Sequence, residues 1–383
     1  MHNNSSSSMD ASSKLKEYKN IFDEAKKAKL ETLSTWYSLF NMREDPFSAD
    51  IKFEDFDFFV NQNEIVKSLI FDIGVASRNI PVMELLVGPS GSGKSTILSY
   101  VHYVTNQLSR EDPNFNIKGN FMSIEKLLEY DDSTELESDQ KLFSESRKKY
   151  DYFFFDDTNY NHISNIKNLY VNTKLKLFST TPIHFLEIMQ ELDTKPNVFY
   201  VKPLTIKDTK DMLDKRIAYS LFDTKTKITV EEIFDTESIK IIHKYCFGLP
   251  KLILKCASSC LQALSFNYRK DRTEISKHKV TVDIAENSCK YVKCYHAYRN
   301  YDDLSEHKMI IIDKVIDKEK TPTEISSDLK KDRTTISRHL SELHDLGLVK
   351  LETHGRESRY RATEPVRILK EIRAMPKEVW KNG

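Results

Sequence analysis

The residues most able to do chemistry lie in one short glycine-rich segment. Residues 88–95 read GPSGSGKS, which fits the spacing G-x-x-x-x-G-K-[ST], and three of the nine glycines of the chain lie within it. Glycines at these positions let backbone N–H groups turn inward around phosphate oxygens. The segment follows an apolar run, 83–87, and precedes a helical pattern, 96–108, which is the context that the motif requires. It predicts a phosphate-binding loop.

Each residue of this loop receives a role from its chemistry. Lys94 is expected to act on the β- and γ-phosphates of a nucleotide, and the hydroxyl of Ser95 to ligate Mg²⁺. A glycine- and serine-rich turn without a function is the alternative. The residues predicted to contact the nucleotide are Gly88, Pro89, Ser90, Gly91, Ser92, Gly93, Lys94, Ser95 and Thr96.

Two acids follow a run of four aromatic residues, 152–155. Such a run is typical of a buried strand, and it places Asp156 and Asp157 at the carboxyl edge of a sheet, where open α/β sheets bind ligands. We expect Asp156 to hold the metal and Asp157 to polarise the attacking water. A strand-to-turn boundary by itself also favours aspartate.

Hydroxyl side chains follow the next apolar run, 175–178. Of these, Thr180 is the candidate for contact with the γ-phosphate or the water. Serine and threonine are also common where a strand ends before a proline, and Pro182 follows here.

Short apolar runs alternate with helical patterns from residue 81 to 201, which predicts an α/β fold with a five-stranded parallel sheet. The expected strands are 83–87, 120–124, 152–155, 175–178 and 198–201. A small helical domain follows, with helices expected at 205–220, 230–245 and 251–266. The Gly-Leu-Pro sequence at 248–250 separates the last two helices.

The carboxyl-terminal part has the pattern of a winged helix-turn-helix. Helices are expected at 304–316, 323–329 and 334–346, and two alternating strands at 348–352 and 358–362. Eight basic and five acidic residues lie between 330 and 361, an excess of three. The side chains predicted to contact DNA are Thr334, Thr335, Ser337, Arg338, Arg356, Arg359 and Arg361. A winged helix used only for protein contacts is the alternative.

Taken together, the loop, the aspartates, the polar strand end and the helical domain resemble P-loop ATPases of the AAA+ and STAND types. The resemblance spans about residues 47–266 and implies ATP and Mg²⁺ as cofactors. It also implies that the helical domain is a lid, whose basic residue Lys251 senses the γ-phosphate. The terminal unit resembles winged helices of the ArsR and MarR type. The domain order is similar to that of archaeal origin-recognition initiators and of archaeal ATPases that regulate transcription.

The sequence departs from the AAA+ pattern at four places. Gln62, on the adenine side, and Lys251, in the lid, each stand where an arginine is usual. Asp157 stands where AAA+ proteins usually have glutamate, although aspartate is common there in STAND proteins, and from this shorter acid we expect slow hydrolysis. No arginine lies between residues 181 and 203, where a neighbouring subunit usually supplies a finger. A switch therefore fits better than a ring motor.

Composition restricts the remaining possibilities. Lys+Arg and Asp+Glu are both 58, so no global charge draws the chain onto DNA. The polar amino terminus and the lack of long apolar runs indicate a cytoplasmic protein that does not interact with membranes. Five cysteines without a CxxC pair favour a reducing compartment. Cys256 and Cys260 could share a metal with His243 or His296, but buried thiols are favoured, and no metal site in the scaffold is expected.

These patterns divide the chain into seven segments. They are a disordered leader 1–13, a helical segment 14–45, the ATPase domain 46–203, the lid 204–268, a linker 269–302, the winged helix 303–370 and a tail 371–383. The predicted function is that of an ATP-binding switch, capable of slow hydrolysis and of self-association, in which nucleotide state controls binding to duplex DNA. A transcriptional regulator with an ATPase fold as an inert platform, or a signalling ATPase with a protein partner, is the alternative.

Overall fold

The computed structural model describes eleven segments of the chain: 42–47, 60–78, 80–112, 117–123, 152–156, 158, 175–192, 195–221, 227–271, 279–355 and 357–380. The predicted leader, residues 14–41 of the predicted helical segment and the acidic stretch 125–139 lie outside them. The last residues of that helical segment are not helical: Met42 is buried and forms an isolated bridge with Leu221.

A parallel sheet organises the first domain, with the strand order β2-β3-β4-β1-β5. Its strands are β1 Val82–Val87, β2 Gly119–Ser123, β3 Tyr152–Asp156, β4 Leu175–Thr180 and β5 Asn197–Tyr200. The helices around it are α1 Asn63–Ser77, α2 Lys94–Glu111 and α3 Pro182–Glu191. The α/β class predicted from the alternation of apolar runs and helices is confirmed.

The aromatic run in β3 fills both faces of this sheet. Successive side chains of a strand point to opposite faces. Accordingly, Tyr152 and Phe154 pack in one core cluster with residues of α1 and α2, and Phe153 and Phe155 pack in the other with residues of α3. All four are fully or almost fully buried. The run therefore fixes the end of β3, and with it Asp156, at the carboxyl edge of the sheet.

A helical lid follows the sheet. Its helices are α4 Ile206–Ser220, α5 Val230–Ile233, α6 Thr236–Tyr245, α7 Pro250–Asp271, α8 Val282–Tyr291 and α9 Cys294–Asn300. The sequence predicts a linker at 269–302 with one helix from about residue 281, and α8 begins at Val282. Ala285, Cys289 and Cys294 belong to the buried core of the lid, so α8 and α9 are structural parts of it.

The winged helix comprises α10 Glu306–Lys314, α11 Pro322–Leu329 and α12 Arg333–Asp345, followed by the antiparallel strands β6 Val349–His354 and β7 Glu357–Ala362. Asp332 caps α12 by accepting a hydrogen bond from the backbone N–H of Thr335 at 2.8 Å. Gly347 ends this helix segment with φ +72°, a conformation that glycine adopts without strain.

Two further helices follow the wing, α13 Glu364–Arg373 and α14 Lys377–Trp380. Helix α13 lies between all three units. Val366 packs in the winged-helix core, Ile368 and Ile372 pack in the lid core, and Met375, just beyond the helix, packs against the sheet. The segment 371–383 is therefore not a free tail where the structure describes it, because its first residues fill an interface.

Within the described segments, none of the helices combines the length and the apolar character needed to cross a membrane.

Candidate functional site

The glycine-rich segment forms a tight loop between β1 and α2. Gly91 and Gly93 have φ values of +79° and +99°, which glycine tolerates and other residues rarely adopt. Helix α2 begins at Lys94, so the positive end of its dipole points into the loop. The Lys94 ammonium is buried and donates to the carbonyl oxygens of Gly88 at 2.8 Å and Pro89 at 3.2 Å. Loop, helix start and lysine have the arrangement that a phosphate group requires.

The inner side of the loop has no room for a side chain at Gly88. A Cβ atom there would lie 2.7 Å from Ser92 Oγ and 3.0 Å from Val201 Cβ. Ser92 Oγ is itself buried and has no hydrogen-bond partner among the described residues. A buried hydroxyl without a partner costs free energy unless a ligand supplies one. This hydroxyl fits an anionic ligand with several acceptor oxygens.

Beside the loop, the carboxyl edge of the sheet holds Asp156 and Ser179. Both residues are buried, and Ser179 Oγ donates to Asp156 Oδ1 at 2.5 Å. Thr180, the predicted contact for the γ-phosphate, instead donates its hydroxyl to the carbonyl oxygen of Thr158 at 2.7 Å. Ser179 is therefore the hydroxyl that orients the acid, and the expectation for Thr180 finds no support in its hydrogen bonding. Asp157 lies outside the described residues.

Sequence reasoning missed Ser179, although a signal was present. Phe155 pairs with Phe178 across β3 and β4. The residues that follow each of these must then lie side by side at the end of the two strands. Aligning the two apolar runs would have selected Ser179 over Thr180.

A cavity of about 900 Å³ lies between the loop and the lid. Its apolar lining comes from Phe47, Val60, Leu204, Met212 and Leu254. Its polar lining includes Arg216 and Asp45. Burial lowers the pKa of Arg216 to about 10, against the attraction of the Asp45 carboxylate. Ser95 and Thr96 also line the cavity, so it extends from the phosphate loop to an apolar recess.

In the wall of this cavity lies Gln62, at the position where an arginine is usual in the AAA+ pattern. Its side-chain amide donates to the carbonyl oxygen of Lys202 at 3.1 Å. This bond ties the segment before α1 to the chain that leaves β5. Gln62 therefore has a structural contact here and contributes to the wall of the cavity.

The lid residue Lys251 lies against the loop, but its ammonium points to the terminal domain. The backbone N–H of Lys251 donates to the carbonyl oxygen of Gly91 at 3.3 Å. Its Nζ lies 2.8 Å from Glu364 Oε1 on α13, and Lys255 pairs with the other oxygen of the same carboxylate. Burial acts to raise the pKa of Glu364, but the hydrogen bonds from these lysines hold it below its ordinary value. The predicted phosphate sensor is thus paired with an acid of the helix that follows the wing.

A second acid of α13 lies directly on the phosphate loop. The backbone N–H of Ser90 donates to Glu371 Oε2 at 2.5 Å, and Ser90 Oγ donates to Glu371 Oε1 at 3.1 Å. Glu371 is only 3% exposed. Burial raises the pKa of Glu371, although Ser90, Lys94 and Arg367 favour its ionised form. The carboxylate therefore lies in the positive field of Lys94, at a backbone donor of the loop.

One arginine of α13 completes this contact. Arg367 lines the cavity, and its Nε atom is buried without a hydrogen-bond partner among the described residues. Neither Arg367 nor Glu371 was selected by sequence reasoning. The available signal was local: Thr363 precedes Pro365 at the helix start, and apolar residues recur at helical spacing through Ile372.

The predicted DNA-facing helix α12 presents its polar side to solvent. Thr334, Thr335 and Arg338 are exposed, and Ser337 is half-buried. The other side of the helix packs into the winged-helix core through Ile336, Leu340 and Leu343. The docking of α13 on the ATPase domain leaves the outer side of α12 uncovered.

The wing arginines have acidic partners. Arg359 donates to Glu357 at 2.9 Å, and Arg361 lies 4.0 Å from Glu319. Both arginines are half-buried, and Arg356 lies outside the described residues. These pairs are solvent-accessible and contribute little stability, so the arginines can exchange their partners at low cost.

The fold and the site define a class: a P-loop α/β domain with a helical lid, followed by a winged helix-turn-helix. Residues 305–350 match the family described as "Bacterial regulatory protein, arsR family". The predicted resemblance of the terminal unit to ArsR-type regulators is thereby confirmed. The match covers α10 to α12 and the start of the wing.

A curated relative is described as an uncharacterized HTH-type transcriptional regulator of Methanocaldococcus jannaschii. It is 24% identical to this chain over 175 residues, which are 46% of this chain and 41% of the relative. The chain thus matches less than half the length of that relative.

Solved structures with similarity to the chain include two from origin-recognition complexes. The Aeropyrum pernix ORC2 protein is 11% identical, with coverage of 88% of this chain and 97% of its own and a TM-score of 0.47. Drosophila ORC bound to DNA is also 11% identical, with coverage of 89% and 92% and a TM-score of 0.43. Reduced HlyU from Vibrio cholerae is 26% identical over 24% of this chain and 94% of its own, with a TM-score of 0.18.

Proposed function

We propose that this protein is an ATP-dependent switch that binds duplex DNA through its winged helix and hydrolyses ATP slowly in the presence of Mg²⁺. One observation carries the proposal. Glu371, on the helix that follows the wing, accepts hydrogen bonds from Ser90 of the phosphate loop. The element that would read nucleotide state and the element that would bind DNA are therefore joined by a direct contact.

The loop supports the nucleotide part of the proposal. Two left-handed glycines, the start of α2 and the buried hydroxyl of Ser92 together fit a phosphate chain. Lys94 would hold the outer phosphates, and Ser95 and Asp156 would hold Mg²⁺ through oxygen ligands. When bound, the metal supplies charge neutralisation at the phosphates. The apolar recess beyond the loop suits a base, and ATP is inferred from the resemblance to AAA+ and STAND proteins.

The outer face of α12 supports the DNA part. Hydroxyl and arginine side chains at the start of a recognition helix reach phosphates and base edges in the major groove. Thr334, Thr335 and Arg338 have that position and are exposed. The wing arginines Arg359 and Arg361 would reach the adjacent backbone. The similarity to regulators with helix-turn-helix domains points in the same direction.

Helix α13 supplies the coupling between the two parts. A carboxylate and a phosphate group compete for the same backbone donor and for the field of Lys94. Binding of ATP would therefore displace Glu371 from Ser90 and loosen the contact of α13 with the loop. Arg367 lies beside this position and would pair with the incoming negative charge. It would thus provide in cis an arginine that the segment 181–203 lacks.

Two other functions use the same fold differently. In one, the protein is a transcriptional regulator, and the ATPase fold is a platform for self-association with little catalysis. In the other, it is a signalling ATPase whose winged helix binds a protein. The contact between Glu371 and Ser90 favours the switch, because neither alternative requires an acid at the phosphate loop. Under each of the three proposals the protein would act in the cytoplasm.

The test measures nucleotide and DNA binding separately in matched variants. A fluorescent ATP analogue reports nucleotide binding by the wild type, Lys94→Ala and the control Lys67→Ala, whose lysine is exposed on α1. Random-sequence duplex DNA at low salt reports DNA binding by the wild type, Arg338→Ala and the control Arg78→Ala, which changes an exposed arginine of the ATPase domain. Phosphate release is followed in parallel.

We expect Lys94→Ala alone to lose nucleotide binding and Arg338→Ala alone to weaken DNA binding. DNA binding without turnover above background would favour the inert platform. Failure of the wild type to bind any duplex at low salt would refute the DNA part and favour a protein partner. Unchanged nucleotide binding by Lys94→Ala would refute the assignment of the loop.

A further inference from the structure

Four of the five cysteines converge inside the lid. Cys246, Cys256, Cys289 and Cys294 are fully buried, and none of them forms a disulfide. The Sγ atoms of Cys246, Cys256 and Cys294 all lie within 4.8 Å of one another, and those of Cys246 and Cys256 are 3.4 Å apart. The thiol of Cys289 interacts with both Cys246 and Cys256. Cysteines up to 48 positions apart in the sequence thus meet at one point.

This grouping corrects the expectation from the sequence. Cys256 and Cys260 are four positions apart in the sequence, which predicts that these two are neighbours. Buried thiols without a metal are the favoured interpretation of that pair. The structure groups Cys256 with Cys246 and Cys294, with Cys289 in contact beside them, whereas Cys260, one turn further along α7, is not in the group. The pairing was invisible in the sequence because it depends on how α6, α7, α8 and α9 pack.

The distances between the sulfur atoms of Cys246, Cys256 and Cys294 fit ligands of one tetrahedral ion. Zinc binds cysteine sulfur at about 2.3 Å, so the sulfur atoms of a tetrahedral site lie about 3.8 Å apart. Among Cys246, Cys256 and Cys294 the separations are at most 4.8 Å, and 3.4 Å for the first two, which agrees with three corners of such a site; the Cys289 thiol contacts two of these sulfurs and would complete it on binding. An iron–sulfur cluster distributes its thiolates over several iron atoms and would hold them farther apart. The geometry therefore favours a single metal ion over a cluster.

The ligands are also held by rigid elements. Cys246 directly follows α6, and Cys256 lies within α7. Cys289 and Cys294 flank the corner between α8 and α9, where Lys293 has a positive φ of 70°. Four residues separate these two cysteines, which is within the spacing that zinc sites use. Helix packing thus preorganises three sulfur ligands and holds a fourth thiol, that of Cys289, next to them.

Buried free thiols are a common alternative, because cysteine behaves as a small apolar residue. That explanation accounts for Cys260, which is buried in the same core beside Ser288 and outside the sulfur group. It does not account for three thiols whose sulfur atoms lie within 4.8 Å of one another, with a fourth thiol in contact with two of them. Thiol groups are weak hydrogen-bond donors, so their mutual contact gains little without a metal.

We propose that Cys246, Cys256, Cys289 and Cys294 form a structural zinc site. Binding of Zn²⁺ releases the four thiol protons to solvent and leaves four thiolates on the ion. The site would fix α7 relative to α6 and to the α8–α9 corner. Helix α7 also carries Lys251 and Lys255, which hold Glu364 of α13. The metal would thereby stabilise the surface on which the terminal domain packs.

The test is the metal content of the full chain, purified from cells grown with added zinc. We expect about one zinc per chain in the wild type and in Cys260→Ser, and a loss of most of it in Cys294→Ser. Because Cys294→Ser can fail to fold, a second measurement uses the wild type alone. Protein stripped of metal under reducing conditions is titrated with Co²⁺, which gives intense visible bands when four thiolates surround it tetrahedrally.

Zinc at one equivalent together with those cobalt bands supports the site. Metal-free wild type that gives no cobalt bands while it remains folded would overturn the proposal. Acid-labile sulfide with iron, or a mass lowered by two hydrogens for each disulfide, would overturn it as well. None of these readouts involves nucleotide or DNA, so the outcome is independent of the proposed switch.

Discussion

Replacing Glu371 by glutamine tests the contact that joins the two halves of the protein. Glutamine has the same shape but no charge, and it retains only one acceptor oxygen for the two hydrogen bonds from Ser90. We expect Glu371→Gln to bind an ATP analogue more tightly than the wild type. The reason is that the wild-type carboxylate must leave the loop before phosphate oxygens can take its place.

The structure sets the size of this effect. A hydrogen bond to a charged acceptor contributes about 1.5–3 kcal/mol. Glutamine keeps one acceptor oxygen for the two donors of Ser90, so part of the bonding is retained and the lower end of that range applies. If the substitution destabilises the state in which residue 371 is bonded to Ser90 by about 1.5 kcal/mol, the dissociation constant for the nucleotide falls about tenfold.

The assay is a titration with a fluorescent ATP analogue, monitored by anisotropy. The control is Glu378→Gln, which removes the same charge from an exposed glutamate of α14. We expect the control to bind like the wild type. Equal or weaker nucleotide binding by Glu371→Gln would refute the competition between the carboxylate and phosphate.

Three further predictions concern single side chains. Burial and the neighbouring Asp72 raise the pKa of Glu84 to about 10 in the folded protein. The folded protein therefore keeps a proton on Glu84 that the unfolded chain loses above the ordinary glutamate pKa, so the free energy of unfolding falls as pH rises from that ordinary pKa to about 10. Glu84→Gln should therefore raise the free energy of unfolding by up to about 3 kcal/mol near pH 7 and flatten its pH dependence, as measured by urea denaturation. Arg338→Ala should lower the slope of log affinity for DNA against log salt by about 1, measured by anisotropy. Ser179→Ala should slow phosphate release by about tenfold and leave Mg²⁺-free nucleotide binding unchanged, because Asp156 loses its donor.

The parts of the site that were predictable from the sequence are local ones. The phosphate loop needs three glycines and a lysine within eight residues, and the recognition helix needs a cap at Asp332 with apolar residues at helical spacing. Each of these motifs lies within about a dozen consecutive residues, so it can be recognised from the sequence without knowledge of the tertiary structure. The position of Asp156 at the carboxyl edge of the sheet was likewise predictable, because the aromatic run directly before it indicates a buried strand.

The contacts of α13 were not predictable, because they join residues far apart in the chain. Ser90 and Glu371 are 281 positions apart, and no pattern in either segment refers to the other. The cysteine group has the same origin, since it depends on the packing of helices that the sequence interpretation had divided between a lid and a linker. Contacts of this kind depend on tertiary packing between segments that are distant in the sequence, so they become visible only in the structure.

The central claim is that nucleotide and DNA binding are coupled, and reciprocity tests it most directly. The dissociation constant for duplex DNA is measured at one salt concentration with and without a saturating non-hydrolysable ATP analogue. The dissociation constant of the analogue is then measured with and without saturating DNA. Linkage requires the two ratios to be equal, and we predict a common factor of about five or more. If both ligands bind and neither changes the dissociation constant of the other, the account is contradicted. The protein would then bind DNA independently of the nucleotide state of its ATPase fold.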